Sequence, residues 1–261
     1  MKPVPAVLAA ALALGSLSLP GCEAVAVPFL LLRSHKVEAV ARLPPGSVAV
    51  LAEAAPGLPA GDPRVRSFTD QVAATAGQHL ATNLRPLQRR ADGSPKKGQA
   101  VVDGRRVARE RERDAAAFAA LPLDALPARL GVDTLVFVEV QALRLPNAAD
   151  AGMTGALVVP AASGTVRVVD ARGVQLFPRR EDADAGGFLG GPAGRPFSVD
   201  LRARRIGEDA ADPANVRRDL ADAAGLAVAR LFYDWTGQAP GDTVYEERRR
   251  TTGTPRPGDR L

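Results

Sequence analysis

The chain contains a single thiol, Cys22, and its position gives it the clearest chemistry in the sequence. It closes the segment Leu19-Pro20-Gly21-Cys22 behind an uncharged run, Val7 to Leu19, built of Ala, Leu, Val, Gly and Ser, with Lys2 the only charge ahead of it. A run of that length suits a secretory h-region and is short for a bilayer span. A lone sulfur has no partner for an internal disulfide.

Elsewhere, groups that could catalyse are scarce. Histidine is the usual general base near neutral pH, and only His35, in Arg33-Ser34-His35-Lys36, and His79 are present. Each reads as a surface or packing histidine. No G-x-S-x-G elbow and no H-E-x-x-H pair occurs. Asp182-x-Asp184 followed by Gly186 resembles the start of a calcium loop, but the twelfth position is Ala193, where a bidentate Glu is needed. Gly186 to Gly191 lacks the Lys-Ser/Thr of a phosphate-binding loop. The carboxylate pairs Glu181/Asp182 and Asp209/Asp212 fall in polar loops with nothing to make them an acid and a base. No catalytic residue, metal ligand or cofactor is expected.

The arrangement at Cys22 resembles the bacterial lipoprotein signal, in which a peptidase cuts before a cysteine already carrying a diacylglyceryl group. The resemblance implies that Leu19 and Gly21 serve recognition and that Cys22 becomes the lipidated N-terminus. Glu23 next to it then points to the outer membrane, facing the periplasm. An ordinary signal cleaved after Gly21, or an uncleaved anchor, would use the same apolar run. The placement of the only cysteine favours the lipid anchor.

Charge supplies the remaining candidates. The chain carries +5 with a pI near 10.0. Arg85 to Asp114 concentrates ten Lys or Arg against five Asp or Glu. Within it Arg89, Arg90, Lys96, Lys97, Arg105 and Arg106 could contact an anionic surface, and a solvated face is the plainer alternative. An exported protein meets lipid heads and envelope polymers rather than nucleic acid, and no RNA- or DNA-binding motif is present.

The elements that would position these residues follow from patterning. Only 4% of residues are aromatic, so Ala, Val and Leu must build the core. Ser47 to Ala52 reads as a buried strand. Asp62-Pro63 opens a helix with Val65, Phe68, Val72, Ala76 and Leu80 on one face. Arg85 to Gly98 reads as a turn-rich loop, Gln99 to Asp103 as a short strand, Arg105 to Ala120 as one exposed helix, and Leu121 to Leu130 as a short helix ending at Gly131. Asp133 to Leu145 is the best strand, apolar on both sides at its start. Thr165 to Val169 and Gly173 to Phe177 form a hairpin. After a loop from Glu181 to Arg195, Pro196 to Ile206 forms another strand. Asp212-Pro213 starts a last helix running through Leu231 and Phe232 to Trp235.

Three of these segments, Ser47 to Ala54, Leu130 to Arg144 and Gly164 to Phe177, carry motifs that resemble a group of envelope lipoprotein domains. Gly131-Val132-Asp133-Thr134-Leu135 is similar to its G-A-D-x-hydrophobic strand, Val166 to Gly173 to its V-x-V-V-D-x-x-G hairpin, and Leu231-Phe232-Tyr233-Asp234 to the ending of envelope lipoproteins of this size. The group is similar to curli-secretion lipoproteins, lipoprotein activators of penicillin-binding proteins, and the N-terminal domain of the Tol translocation protein. The resemblance implies a compact α/β domain that binds other envelope components, and it supplies no catalytic residues.

The sequence therefore predicts an α/β fold, a single mixed sheet packed by two or three amphipathic helices. The expected divisions are a signal at 1–21, a lipidated linker at 22–45, the domain at 46–236 and a disordered basic tail at 237–261. The expected role is a non-enzymatic binding or accessory module for envelope assembly, secretion or peptidoglycan synthesis. Its partners would be the membrane, through Cys22, and an envelope protein, with a homo-oligomer open. An envelope hydrolase or small-ligand enzyme, and an oligomeric export component, stand as alternatives.

Overall fold

A computed structural model of the chain describes residues 35–145, 157–179, 194–201, 204–205 and 213–237. Leu19, Gly21 and Cys22, the loop residues 181–193 and the tail residues 238–261 lie outside them. The first half contributes β1 (His35–Val37), β2 (Gly46–Ala54), α1 (Pro63–Asn83), β3 (Gln88–Arg89), β4 (Pro95–Lys97) and β5 (Gln99–Val101). There follow α2 (Gly104–Arg113), α3 (Ala115–Ala120), a 3-10 turn (Leu123–Ala125), α4 (Leu126–Leu130) and β6 (Thr134–Arg144). The rest comprises β7 (Leu157–Val158), β8 (Ala161–Asp170), β9 (Gln175–Phe177), β10 (Arg195–Asp200), β11 (Arg204–Arg205), α5 (Pro213–Ala229) and β12 (Trp235–Gly237).

The main sheet is mixed, in the order β10-β8-β6-β2-β5, with β9 also on β8. β2 runs parallel to β5 and β6, while β8 is antiparallel to β6, β9 and β10. Strand residues alternate between two buried faces, which is why β2 and β6 read as continuous apolar runs. On one face Val48, Val50, Val136, Val138, Val166 and Val168 meet Phe68, Val72, Ala76 and Leu80 of α1 and Leu220, Ala224 and Val228 of α5. On the other, Ala49, Leu51, Leu135 and Phe137 meet a smaller cluster from α2 to α4: Val107, Phe118, Leu126 and Leu130.

Local chemistry fixes the helix ends. Asp62 accepts the Arg64 N–H at 2.8 Å with Pro63 in the first turn, as its type and place predict. Gly131 ends α4 at φ 64°, a left-handed position that suits glycine. α1 and α5 cross closely because Gly225 has no side chain. A Cβ there would lie 2.8 Å from the Val72 carbonyl oxygen and 2.8 Å from the Thr75 Cβ.

Several boundaries differ from the sequence expectation. The segment Arg105 to Ala120 is two helices, because Asp114 leaves the helical region (φ −153°, ψ 78°) and its carboxylate caps α3 through the Ala117 N–H. Arg85 to Gly98 is not all loop: β3 and β4 pair antiparallel. The last helix stops at Ala229, and Trp235 begins a strand instead of ending a helix. That strand pairs with β1, Val37 opposite Trp235. Residues 35–45, assigned from sequence to the linker 22–45, thus belong to the packed body, and Leu43 lies in the larger core. Among the described residues no helix is long and apolar enough to cross a membrane.

Candidate functional site

The six basic residues singled out by sequence all sit exposed, on the β3–β4 hairpin (Arg89, Arg90, Lys96, Lys97) and the first turn of α2 (Arg105, Arg106). The hairpin is fastened to the start of β2, where the Gly46 N–H donates to the Gly98 carbonyl at 3.2 Å. Arg89 and Arg106 approach the 131–133 turn from two elements. A Cβ on Gly131 would be 3.6 Å from an Arg106 guanidinium nitrogen, and Arg89 helps lower the Asp133 carboxyl. The main causes of that lowering are the backbone N–H and hydroxyl of Ser47, which outweigh a small opposing effect of burial.

The chain enters the domain at this same end. The Ala41 N–H donates to the Leu231 carbonyl just past α5, and the Gln99 side-chain amide to the Leu43 carbonyl at 2.7 Å. Residues 39–44 therefore run from the end of α5 to the start of β2. They are held by Asp234, which accepts the Ala39 N–H at 3.0 Å and pairs with Arg42 at 2.5 Å and Lys36 at 3.2 Å. Those contacts, led by the Ala39 N–H, hold the Asp234 carboxyl far below the usual carboxylate range.

A cleft of about 450 Å³ lies toward the other end of β2, on the sheet face that α2 and α3 only partly cover. Strand register builds its floor. Leu51, Phe137 and Arg167 stand side by side on β2, β6 and β8, and Glu53, Glu139 and Thr165 form the next row. Val65, Arg66, Thr69 and Asp70 of α1 and Arg111, Ala115, Phe118 and Ala119 of α2 and α3 supply the walls, with Leu121, Leu123 and Leu126 beyond.

The polar groups of the cleft are unequally satisfied. Arg111 donates to Asp70 at 2.6 Å and reaches Glu53 at 3.6 Å. Because Arg111 is held chiefly by Asp70, burial prevails at Glu53 and pushes its carboxyl up, while Arg111 pulls it back in part. Arg167 lies over the Phe137 ring at 5.2 Å and meets Glu139 only at 3.7 Å. Its Nε is buried without a hydrogen-bond partner among the described residues. A buried donor left unmade costs about 1–3 kcal/mol, more for a charged group.

This arrangement can bind and orient. Its polar lining consists of Thr69, the carboxylates Glu53, Asp70 and Glu112, and the guanidinium groups of Arg66, Arg111 and Arg167. His79 is half-buried on α1 and His35 lies in β1; neither is among the lining residues. Among the described residues no group of three or more His, Cys, Asp or Glu could hold a metal ion. Sequence reading missed the cleft. A signal was present, one charged residue in each of three apolar strands: Glu53 after VAVLA, Glu139 in FVEV and Arg167 in TVRVV.

No family model matches the chain, and no curated protein matches it. Among solved structures it is distantly similar to lipoprotein GNA1162 from Neisseria meningitidis, with 16% identity, TM-score 0.34, and coverage of 60% of this chain and 83% of that one. The PelC dodecamer from Paraburkholderia phytofirmans matches at 10% identity and TM-score 0.31, over 77% of this chain and 98% of that one. The hypothetical protein CT253 from Chlamydia trachomatis matches at 15% identity and TM-score 0.32, over 80% and 96%.

Proposed function

We propose that this chain is a lipid-anchored protein of the bacterial cell envelope that acts by binding, as an accessory module for envelope assembly, secretion or peptidoglycan synthesis. The observation that carries the proposal is Cys22, the only thiol, at the end of an uncharged secretory run. Glu23 favours the outer membrane as its site. The fold supports the same reading, because the exposed basic hairpin and the entry of the chain lie at one end of the sheet. Residues 22–34 would tether that end within about 45 Å of the bilayer even when fully extended. One acyl anchor and a basic patch reinforce each other at an anionic surface. The cleft, toward the far end of β2, would then face away from the membrane, open to a partner or ligand.

Fractionation of cells making the full-length chain or its Cys22→Ser variant tests the anchor. The parent should sediment with membranes and incorporate labelled palmitate, and the variant should incorporate none. A parent that takes up no label, or a variant that still carries it, would overturn the lipid anchor. In vesicles containing anionic lipid, replacing Arg89, Arg90, Lys96 and Lys97 by Gln should weaken attachment of the Cys22→Ser protein at least tenfold. Unchanged attachment would leave those residues as a solvated face.

A further inference from the structure

We propose that α3 is a movable lid over the floor of the cleft, swung about Asp114 and the Leu121–Pro122 link and held shut by the Phe118 side chain and by Arg111 as a latch. The cleft is open at its rim, where Ala60, Arg66, Asp70 and Glu112 are exposed, and closed below, where Leu51, Thr69 and Leu126 are buried. Ala115, Phe118 and Ala119 bring α3 over that floor with little to hold it there. Its sequence is AAAFAA. The alanines are all exposed, and Phe118 alone is buried, in the cluster with Leu51, Leu126 and Phe137. An element with a single buried side chain opens locally far more often than the core unfolds.

Both ends of α3 are joints. Asp114 leaves the helical region, and Leu121 and Pro122 are extended. A few element-terminal residues of this kind are where a hinge absorbs its backbone change. Beyond the joints the chain is fixed. α2 begins against α1, where a Cβ on Gly104 would lie 3.8 Å from the Ala74 Cα, and Val107 belongs to the buried cluster, on which Leu123 also packs. Arg111 stands three residues before the first joint and ties the end of α2 to Asp70 of α1 at 2.6 Å and to Glu53 of β2 at 3.6 Å. Its side chain is 18% exposed, whereas Arg105, Arg106, Arg109 and Arg113 of the same helix are exposed. The latch thus sets the height from which α3 descends, and releasing it lets Phe118 withdraw from the floor. The inference concerns access to the cleft and does not depend on the lipid anchor, which palmitate incorporation reads separately.

The full-length Thr69→Cys protein in nanodiscs, treated with N-ethylmaleimide, reports access to the floor, and peptide mass separates labelling at residue 69 from labelling at Cys22. The thiol at residue 69 should react at least a hundredfold more slowly than one introduced by Thr82→Cys, exposed on the same helix. Adding Arg111→Gln or Phe118→Ala should speed labelling at residue 69 at least tenfold, with hydrogen exchange in β2 and β6 unchanged, whereas Arg109→Gln should leave the rate as it was. A thiol at residue 69 that reacts as fast as the exposed one, or a rate that Arg111→Gln or Phe118→Ala leaves unchanged, would overturn the lid. So would an acceleration matched by faster exchange in β6, which would mean that the whole domain opens. The unsubstituted protein gives a test that needs no variant. The Phe118 and Leu121 amides, bonded to the Asp114 and Phe118 carbonyls, should exchange at least a hundredfold faster than those of β6, and exchange at the β6 rate would also overturn the proposal.

Discussion

Ser47 and Asp133 hold the starts of the two central parallel strands together from both sides. The Asp133 carboxylate accepts the backbone N–H and the hydroxyl of Ser47, each at 2.7 Å. The Asp133 N–H in return points at the Ser47 carbonyl at 3.1 Å and its hydroxyl oxygen at 2.9 Å. The aspartate of the Gly131 to Leu135 motif therefore acts as a clamp between strands 86 residues apart. Asp133→Ala should cost about 1–2 kcal/mol, the value of charge-assisted hydrogen bonds discounted for exposure. Urea unfolding checks this. The carboxyl is held low in the folded state, so its contribution should be complete above the ordinary Asp value of 3.8 and fade as pH falls through it.

The α1–α5 crossing should tolerate no methyl group at Gly225. Alanine favours a helix by about 1 kcal/mol, but its Cβ would press on the Val72 carbonyl and on Thr75. Overpacking of that kind costs about 1–3 kcal/mol. Gly225→Ala should therefore lower the melting temperature by about 3–6 °C. A variant that melts at or above the parent would show that the two helices can move apart freely.

Asp234→Asn should loosen residues 36–42 without unfolding the main sheet. The substitution keeps the shape and removes the charge that holds Lys36, Arg42 and the Ala39 N–H. Faster hydrogen exchange at Ala39 and Ala41, with unchanged exchange in β2 and β6, is the expected result. In the parent the folded-state carboxyl lies far below its unfolded value of 3.8, so the clamp should be intact above that pH and weaken as pH falls below it.

Glu53 should behave in the opposite sense. Burial raises its carboxyl above 4.5, and the groups facing it are Arg111, which pulls it down, Asp70, which raises it, and Arg66, which lowers it. Its contribution to stability should be greatest below 4.5 and decline as pH rises from there toward the folded value, then level off. Comparing the parent with Glu53→Gln by urea unfolding between pH 4 and 7 isolates the effect. A parent that gains on the variant as pH rises would mean that the Arg111 pair, and not burial, governs this residue.

The elements that sequence patterning located are those whose signals are local. Asp62-Pro63, the Val65-to-Leu80 stripe and the apolar run of β6 each act within a few turns or one strand, and each formed as read. What escaped depends on partners distant in the chain. β1 exists because β12 pairs with it, and nothing near His35 announces Trp235. Asp114 breaks a helix that charge alternation alone would continue. The cleft is built by register. Phe137 opposite Leu51 and Arg167 becomes visible only once three strands are aligned, and the basic residues singled out from composition lie at the opposite end of β2.

The pairing of β1 with β12 also determines how the domain would respond to a pull. His35 is opposite Gly237 and Val37 opposite Trp235, so tension applied through the residues before His35 reaches the outermost rung first. The three rungs of this ribbon would carry the load before the main sheet does. Next in line are Lys36, Ala39 and Arg42 on Asp234, and then the Ala41–Leu231 bond. A tether fixed at Cys22 would thus have a short run of yielding chain between the anchor and the load-resistant core, a mechanical fuse that lengthens the leash before β2 is strained.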